Sequence, residues 1–183
     1  MQNTKISPEQ KEQMIKELAA HEHDKWSMWQ RRIHLGAKTL ISGELVILVS
    51  EIEKVKSIIN LEYANTDNEY KKYVKDSVKG TIDIINRYNY QNELKISSMN
   101  LQNVLEKTEH NRIRRWMNYM LSLCTINDSV CTIPSAKYEL WSREIITPYA
   151  GLTESQKNSD IKEVYEIFSA VAEFKDKFKE NLF

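Results

Sequence analysis

Glu22-His23-Asp24-Lys25-x-x-x-Trp29-x-x-x-Ile33 and Glu109-His110-Asn111-Arg112-x-x-x-Trp116-x-x-x-Met120 are two versions of one pattern. Glu22, Trp26, Trp29 and Ile33 recur at helical spacing, as do Glu109, Ile113, Trp116 and Met120. Both segments therefore read as helices, each with a glutamate set into its apolar stripe. Carboxylates are seldom buried without a partner. Two readings of the repeat stay open: a partial internal duplication, or two helices that met similar demands separately.

Working outward, helical stripes fill most of the chain. Ser7, Pro8 and Gln10 form a start signal, with a capping box and proline at the first helical position. That helix runs through Ile15, Leu18, Ala19, Trp26, Trp29 and Ile33 toward Gly36 as C-cap. Gly43 marks the next start, and Leu45, Leu48, Val49, Ile52, Val55, Ile59 and Tyr63 make the cleanest stripe of all. A third helix places Tyr70, Val74, Val78, Thr81, Ile85 and Tyr88 on one side, weakened at Gly80 by about 1 kcal/mol relative to alanine. The pattern breaks around Lys95 to Asn100, and a fourth helix spans about Ser98 to Leu123. Val130 to Pro134 reads as a short extended piece after the turn Asn127-Asp128-Ser129. A fifth, short helix holds Tyr138, Leu140, Trp141 and Ile145 and stops at Thr147-Pro148. Thr153 with Gln156 opens the sixth, which carries Ile161, Val164, Phe168, Val171, Phe174 and Phe178. Only 4 glycines and 3 prolines punctuate 183 residues. The expectation is an all-α, bundle-like single domain of about six helices over residues 1–183, with no sheet beyond a short pairing near Val130 to Ile133.

The totals exclude several function classes. Lys+Arg and Asp+Glu balance at 26 each, so no global field draws the chain to nucleic acid or an anionic membrane. Duplex nucleic acid is disfavoured for want of a continuous basic face. No apolar run approaches the roughly 18 residues that span a bilayer, and the polar opening Met1-Gln2-Asn3-Thr4-Lys5 shows no secretory signal. The expectation is a cytoplasmic protein with no membrane partner. Cys124 and Cys131 flank a turn, and in a reducing cytoplasm they read as free thiols, with a hairpin-closing disulfide as the alternative.

No nucleophile elbow, phosphate-cradling glycine loop or Cys-x-x-Cys knuckle is present. The histidines lack metal-ligand spacing, so neither a metal nor a cofactor is expected. Arginines cluster beside the tryptophans instead: Arg31 and Arg32 after Trp29, and Arg112, Arg114 and Arg115 before Trp116. Guanidinium with indole suits an anionic, flat ligand. The candidate ligand-binding set is Trp29, Arg115, Trp116, Trp141, Arg143 and Tyr149. Glu22, Glu109 and Arg112 are candidates for a structural ion pair, with Arg143 a further partner for either glutamate.

The tail carries a resemblance. Ile133-Pro134, Tyr138-x-x-Trp141-Ser142-Arg143-Glu144-Ile145 and Thr147-Pro148-Tyr149-x-x-Leu152-Thr153-Glu154-x-x-Lys157-x-x-Asp160 resemble a group of small, mostly uncharacterised phage and prophage proteins. The Pro-Tyr-x-x-Leu-x-Glu portion is also faintly similar to the helical repeat of ryanodine receptors. Residues 101–183 match the group best, most closely over 104–168. Residues 12–35 resemble its opening helix again, and residues 37–100 read as an insertion. The resemblance implies a helical protein of the host cytoplasm and supplies no catalytic residues. It implies a non-enzymatic accessory protein that modulates host defence, here by binding a small anionic or nucleotide-like molecule. A module that docks a host protein or its own copy is the first alternative. An enzyme using Glu22 or Glu109 as acid or base is the second.

Overall fold

Among the described residues, six helices with full bounds hold well over half of the chain. They are α1 (Pro8–Leu35), α2 (Asn68–Arg87), α3 (Tyr90–Leu94), α4 (Ser98–Ser122), α5 (Ser135–Ile146) and α6 (Glu154–Glu180). The structure is a computed structural model that describes residues 5–35, 38–39, 45–48, 52–53, 56–57, 60–127 and 130–180. The fold is all-α in class, as the stripes predict. Its ends form where the sequence marks them. Ser7 N–H donates to Gln10 Oε1 at 2.9 Å, and Gln10 N–H returns to Ser7 Oγ at 3.2 Å. Thr153 and Gln156 repeat this exchange at 2.9 and 3.3 Å before α6. These reciprocal bonds satisfy amides that the first helical turn leaves unpaired. Thr147 turns extended ahead of Pro148 and ends α5. Asn89 and Lys95 adopt left-handed backbone on either side of α3, which breaks the pattern between α2 and α4.

One region departs from the helical expectation. Leu45–Leu48 is not the start of a helix but a strand, β2. It lies in a four-stranded antiparallel sheet with β1 (Lys38–Thr39), β3 (Thr125–Asn127) and β4 (Val130–Ile133), in the order β1-β2-β4-β3. Ile52, Glu53, Lys56 and Ser57 are helical, while the stripe positions Val49, Val55 and Ile59 lie outside the described residues. The reason lies in composition. Leu45-Val46-Ile47-Leu48 is a continuous apolar run with β-branched residues, and periodicity cannot tell such a run from a buried helix. Its partner β4, Val130-Cys131-Thr132-Ile133, has the same character and pairs with it in full register. The cysteine expectation also changes. The β3–β4 ladder brings the Cα atoms of Cys124 and Cys131 to 5.7 Å, and the two are joined in a disulfide. The predicted caps at Gly36 and Gly43, and turn positions 128–129, lie outside the described residues.

The residues gather into two compact units. The first joins residues 1–23, 68–109 and 153–183. Its core is Met14 and Leu18 of α1, Val74, Val78 and Ile85 of α2, Leu101 and Leu105 of α4, and Val164 and Val171 of α6. At its surface, Glu17 accepts the Tyr88 hydroxyl and the Arg87 guanidinium, each at 2.7 Å. The Tyr88 hydroxyl is the main reason that the Glu17 carboxyl sits below the usual range. The second unit joins residues 24–67 and 110–152. It holds the sheet, and its core includes Trp29, Ile113, Met117, Met120, Ile133 and Trp141.

Gly80 earns its place in α2 by packing. A Cβ there would meet the imidazole of His21, 2.7 Å from Nε2 and closer still to Cε1. Alanine at an unconstrained helix position would gain about 1 kcal/mol. Gly80→Ala should instead destabilise, by about 1–3 kcal/mol, because the ring and α2 must part. Chemical denaturation of the variant checks this, and a gain in stability would show that the close approach is absent.

Candidate functional site

On α1, Asp24, Met28 and Arg31 are exposed, while Glu22, His23, Lys25, Ser27, Trp29 and Gln30 are buried. Helical geometry places the exposed three on one narrow face. The buried arc therefore covers more than half of the circumference, and polar groups share it with the tryptophans. The same holds on α4, where Glu106, Glu109, His110 and Arg112 are buried between apolar neighbours.

In the first unit, the two repeated glutamates meet hydroxyls. Ser77 Oγ donates to Glu109 Oε1 at 2.7 Å. Thr81 Oγ1 approaches Glu22 Oε1 at 3.4 Å. Ser77 and Thr81 stand four residues apart on α2, hence on one face, with Gly80 beside them. Gln102 Nε2 donates to Glu106 Oε1 at 2.8 Å. His23 Nδ1 lies 3.6 Å from Asp160 Oδ2, with both side chains largely buried. Hydrogen bonding of this kind lowers the cost of taking a carboxylate out of water.

The second unit collects the aromatic groups. The rings of Trp29 and Trp116 lie 5.6 Å apart, tilted by 44°. The Arg112 guanidinium stands over the Trp116 ring, 5.1 Å from its centroid. Arg112 is 2% exposed, whereas Trp116 is half-buried and its neighbour Arg115 is exposed. A buried cation on an indole face keeps its full electrostatic value. Trp141 is buried on α5 and meets Tyr119 edge-on at 6.4 Å. Tyr149 is half-buried, in a short 3-10 turn over Tyr149–Gly151. His110, whose repeat counterpart is His23, has different neighbours: its Nε2 lies 3.0 Å from the Leu61 carbonyl, beside the Tyr63 ring. Burial holds the His110 imidazole below the ordinary histidine range, against an opposing pull from that carbonyl.

The predicted residues thus sort by environment. Trp29, Trp116 and Arg112 come together. Arg115 reaches solvent next to them. Arg143 corrects the sequence reading: it is exposed, and its Nε donates to the Glu139 carbonyl of its own helix at 3.4 Å. It is not the buried partner of a glutamate, because α5 turns Trp141 and Ile145 inward and leaves Arg143 on the other face. Glu22, Glu109 and Arg112 are all buried. Ser77 escaped the sequence reading, Gly80 read only as a weak point, and Thr81 was placed on the right face without a role. Among the described residues, no group of three or more His, Cys, Asp or Glu side chains could hold a metal ion. None of the described helices is long and apolar enough to cross a membrane. Compared with known proteins, the chain matches no family model, no curated sequence and no solved structure.

These environments separate two arginines that sequence alone treats alike. Arg143→Ala should leave the unfolding midpoint where it is, as for most exposed positions. Arg112→Ala should cost at least about 2 kcal/mol, since it empties a large buried volume. Denaturant titration of both variants tests the pair, and the reverse order would contradict the assignment.

Proposed function

We propose that this chain is a non-enzymatic binding protein that takes up a small anionic, nucleotide-like molecule at Trp116. The observation that supports this most is the buried Arg112 guanidinium over a Trp116 ring that still reaches solvent. A flat base gains from stacking on the indole that Arg112 holds from its buried side, and a phosphate beside it gains from the exposed Arg115 guanidinium. Arg115 and Arg114 follow Arg112 on α4 and supply local positive charge in a chain of zero net charge. The site is narrower than the sequence suggests: Trp29 backs Trp116, Arg115 provides the exposed cation, and Trp141 serves the core. The likeness to phage and prophage proteins extends the proposal to a role. Such a protein would act in a host cytoplasm by withholding a nucleotide signal from host defence.

The acid–base alternative gains little support. Glu22 and Glu109 are 1% and 3% exposed, so substrate would have no access to either. Docking of a protein partner has a specific observation in its favour. Met28, Tyr119, Ile126 and Ile146 of the second unit are each at least half exposed. Large exposed apolar side chains are common singly, however, and weigh only when contiguous.

Titration with a panel of linear and cyclic nucleotides, read by tryptophan fluorescence and by calorimetry, tests the proposal. At least one should bind and quench. Stacking of one base is worth roughly 1–3 kcal/mol, so Trp116→Ala should weaken binding by about tenfold to a hundredfold. Arg115→Ala, at an exposed position, should weaken binding without changing the melting temperature. Absence of binding across the panel, or full affinity in both variants, would reject the site.

A further inference from the structure

The disulfide holds the edge of the sheet and not its centre. β4 is an inner strand, paired with β2 through Leu45↔Ile133, Val46↔Thr132, Ile47↔Cys131 and Leu48↔Val130. β3 is an edge strand. Among the described residues it pairs with β4 alone, through Thr125↔Thr132, Ile126↔Cys131 and Asn127↔Val130, and all three of its residues are exposed. Cys131 is fully buried, whereas Cys124 is half-buried, just past the end of α4. The bond therefore ties the end of α4 and the edge strand to a strand that is anchored independently. The same stretch of α4 carries Tyr119, which packs on Trp141 and accepts a hydrogen bond from Lys137 Nζ at 3.2 Å.

We propose that Cys124–Cys131 is a reversible redox link that governs how firmly β3 and the end of α4 are held, and that a glutathione-class thiol opens it. The chemistry follows the difference in exposure. A thiolate attacks Sγ of Cys124, the less buried of the two cysteines. The bond between the two cysteines breaks, and Cys131 leaves as a thiolate that takes up a proton. A second thiol then attacks the mixed disulfide and releases Cys124 as a thiol. In sum, the protein disulfide is reduced to two thiols, and two glutathiones are oxidised to one glutathione disulfide. Two features make the step reversible and local. The ladder with β3 keeps the two Cα atoms near their 5.7 Å separation, so the bond can form again. The ladder with β2 does not involve the bond, so opening leaves the rest of the sheet paired. An edge strand released in this way offers unpaired backbone groups, which is the usual template for adding a further strand.

The test uses the full chain in glutathione buffers that run from oxidised to reduced. Alkylation and intact mass count the thiols, and amide exchange is followed at residues 125–127 and 45–48. Oxidised buffer should give no free thiol, and reducing buffer two, appearing together. The loop-entropy relation for a ring this short implies that opening of β3 becomes roughly fiftyfold more frequent on reduction. Exchange at 125–127 should rise accordingly, while exchange at 45–48 changes less than about twofold. The double variant Cys124→Ser with Cys131→Ser should show the fast rate in every buffer. A disulfide that persists in the most reducing buffer would be a fixed staple and would overturn the proposal. So would failure to form in oxidised buffer, unchanged exchange at 125–127, or loss of the whole sheet on reduction.

Discussion

One short face of α2 sets the terms for the first unit. Ser77, Gly80 and Thr81 lie within one helical turn, and each answers to a buried group of another helix. Ser77 donates to Glu109 of α4. Thr81 approaches Glu22 of α1. Gly80 leaves room for His21 of α1. A carboxylate moved from water into a protein interior costs several kcal/mol unless hydrogen bonds replace its hydration. The small polar face of α2 provides that replacement where a larger side chain would hold the helices apart. The register of α2 against both neighbours follows from it, because a shift of one residue turns the hydroxyls away from both acids.

The repeated pattern takes on meaning in this light. Its two glutamates end on the same face of α2, and its two tryptophans end in ring contact with each other. Equivalent positions thus meet equivalent surroundings at both ends of the pattern. The histidines are the exception, since His23 pairs with Asp160 and His110 with the Leu61 carbonyl. Arg112 is buried, and its position over Trp116 is set by the helix that both share. A guanidinium and an indole four residues apart on one helix are neighbours by geometry alone. That preorganisation is what a binding surface for a flat anion needs, since side chains already fixed lose little entropy when ligand arrives.

Much of this was legible in the sequence, for identifiable reasons. Capping boxes at Ser7 and Thr153 are local, so they formed as written. The burial of Glu22, Glu109 and Trp29 followed from helical period alone. The sheet was not legible at Leu45–Leu48, because its pairing with Val130–Ile133 is a long-range fact that no window of sequence contains. The disulfide belongs to the local β3–β4 hairpin, and it took second place in the sequence because a reducing cytoplasm favours free thiols. As a partner for a buried glutamate, Arg143 was misplaced because a short helix next to a proline gives too few residues to fix which face turns inward. Ser77 went unnoticed since a serine in a helix commonly faces solvent, and only the approach of α4 gives it an acid to meet. Gly80 read as a defect for the same reason: the ring that needs its missing side chain belongs to another helix.

A double-mutant cycle between Ser77→Ala and Glu109→Gln shows whether the α2 hydroxyl and the buried acid of α4 depend on each other. If the hydroxyl is what keeps the carboxylate buried, the pair should show a coupling energy of about 1.5–3 kcal/mol by denaturant unfolding, the range for hydrogen bonds to charged groups. Losses that simply add, to within about 0.3 kcal/mol, would contradict it, and the face of α2 would then have to be regarded as packing surface alone.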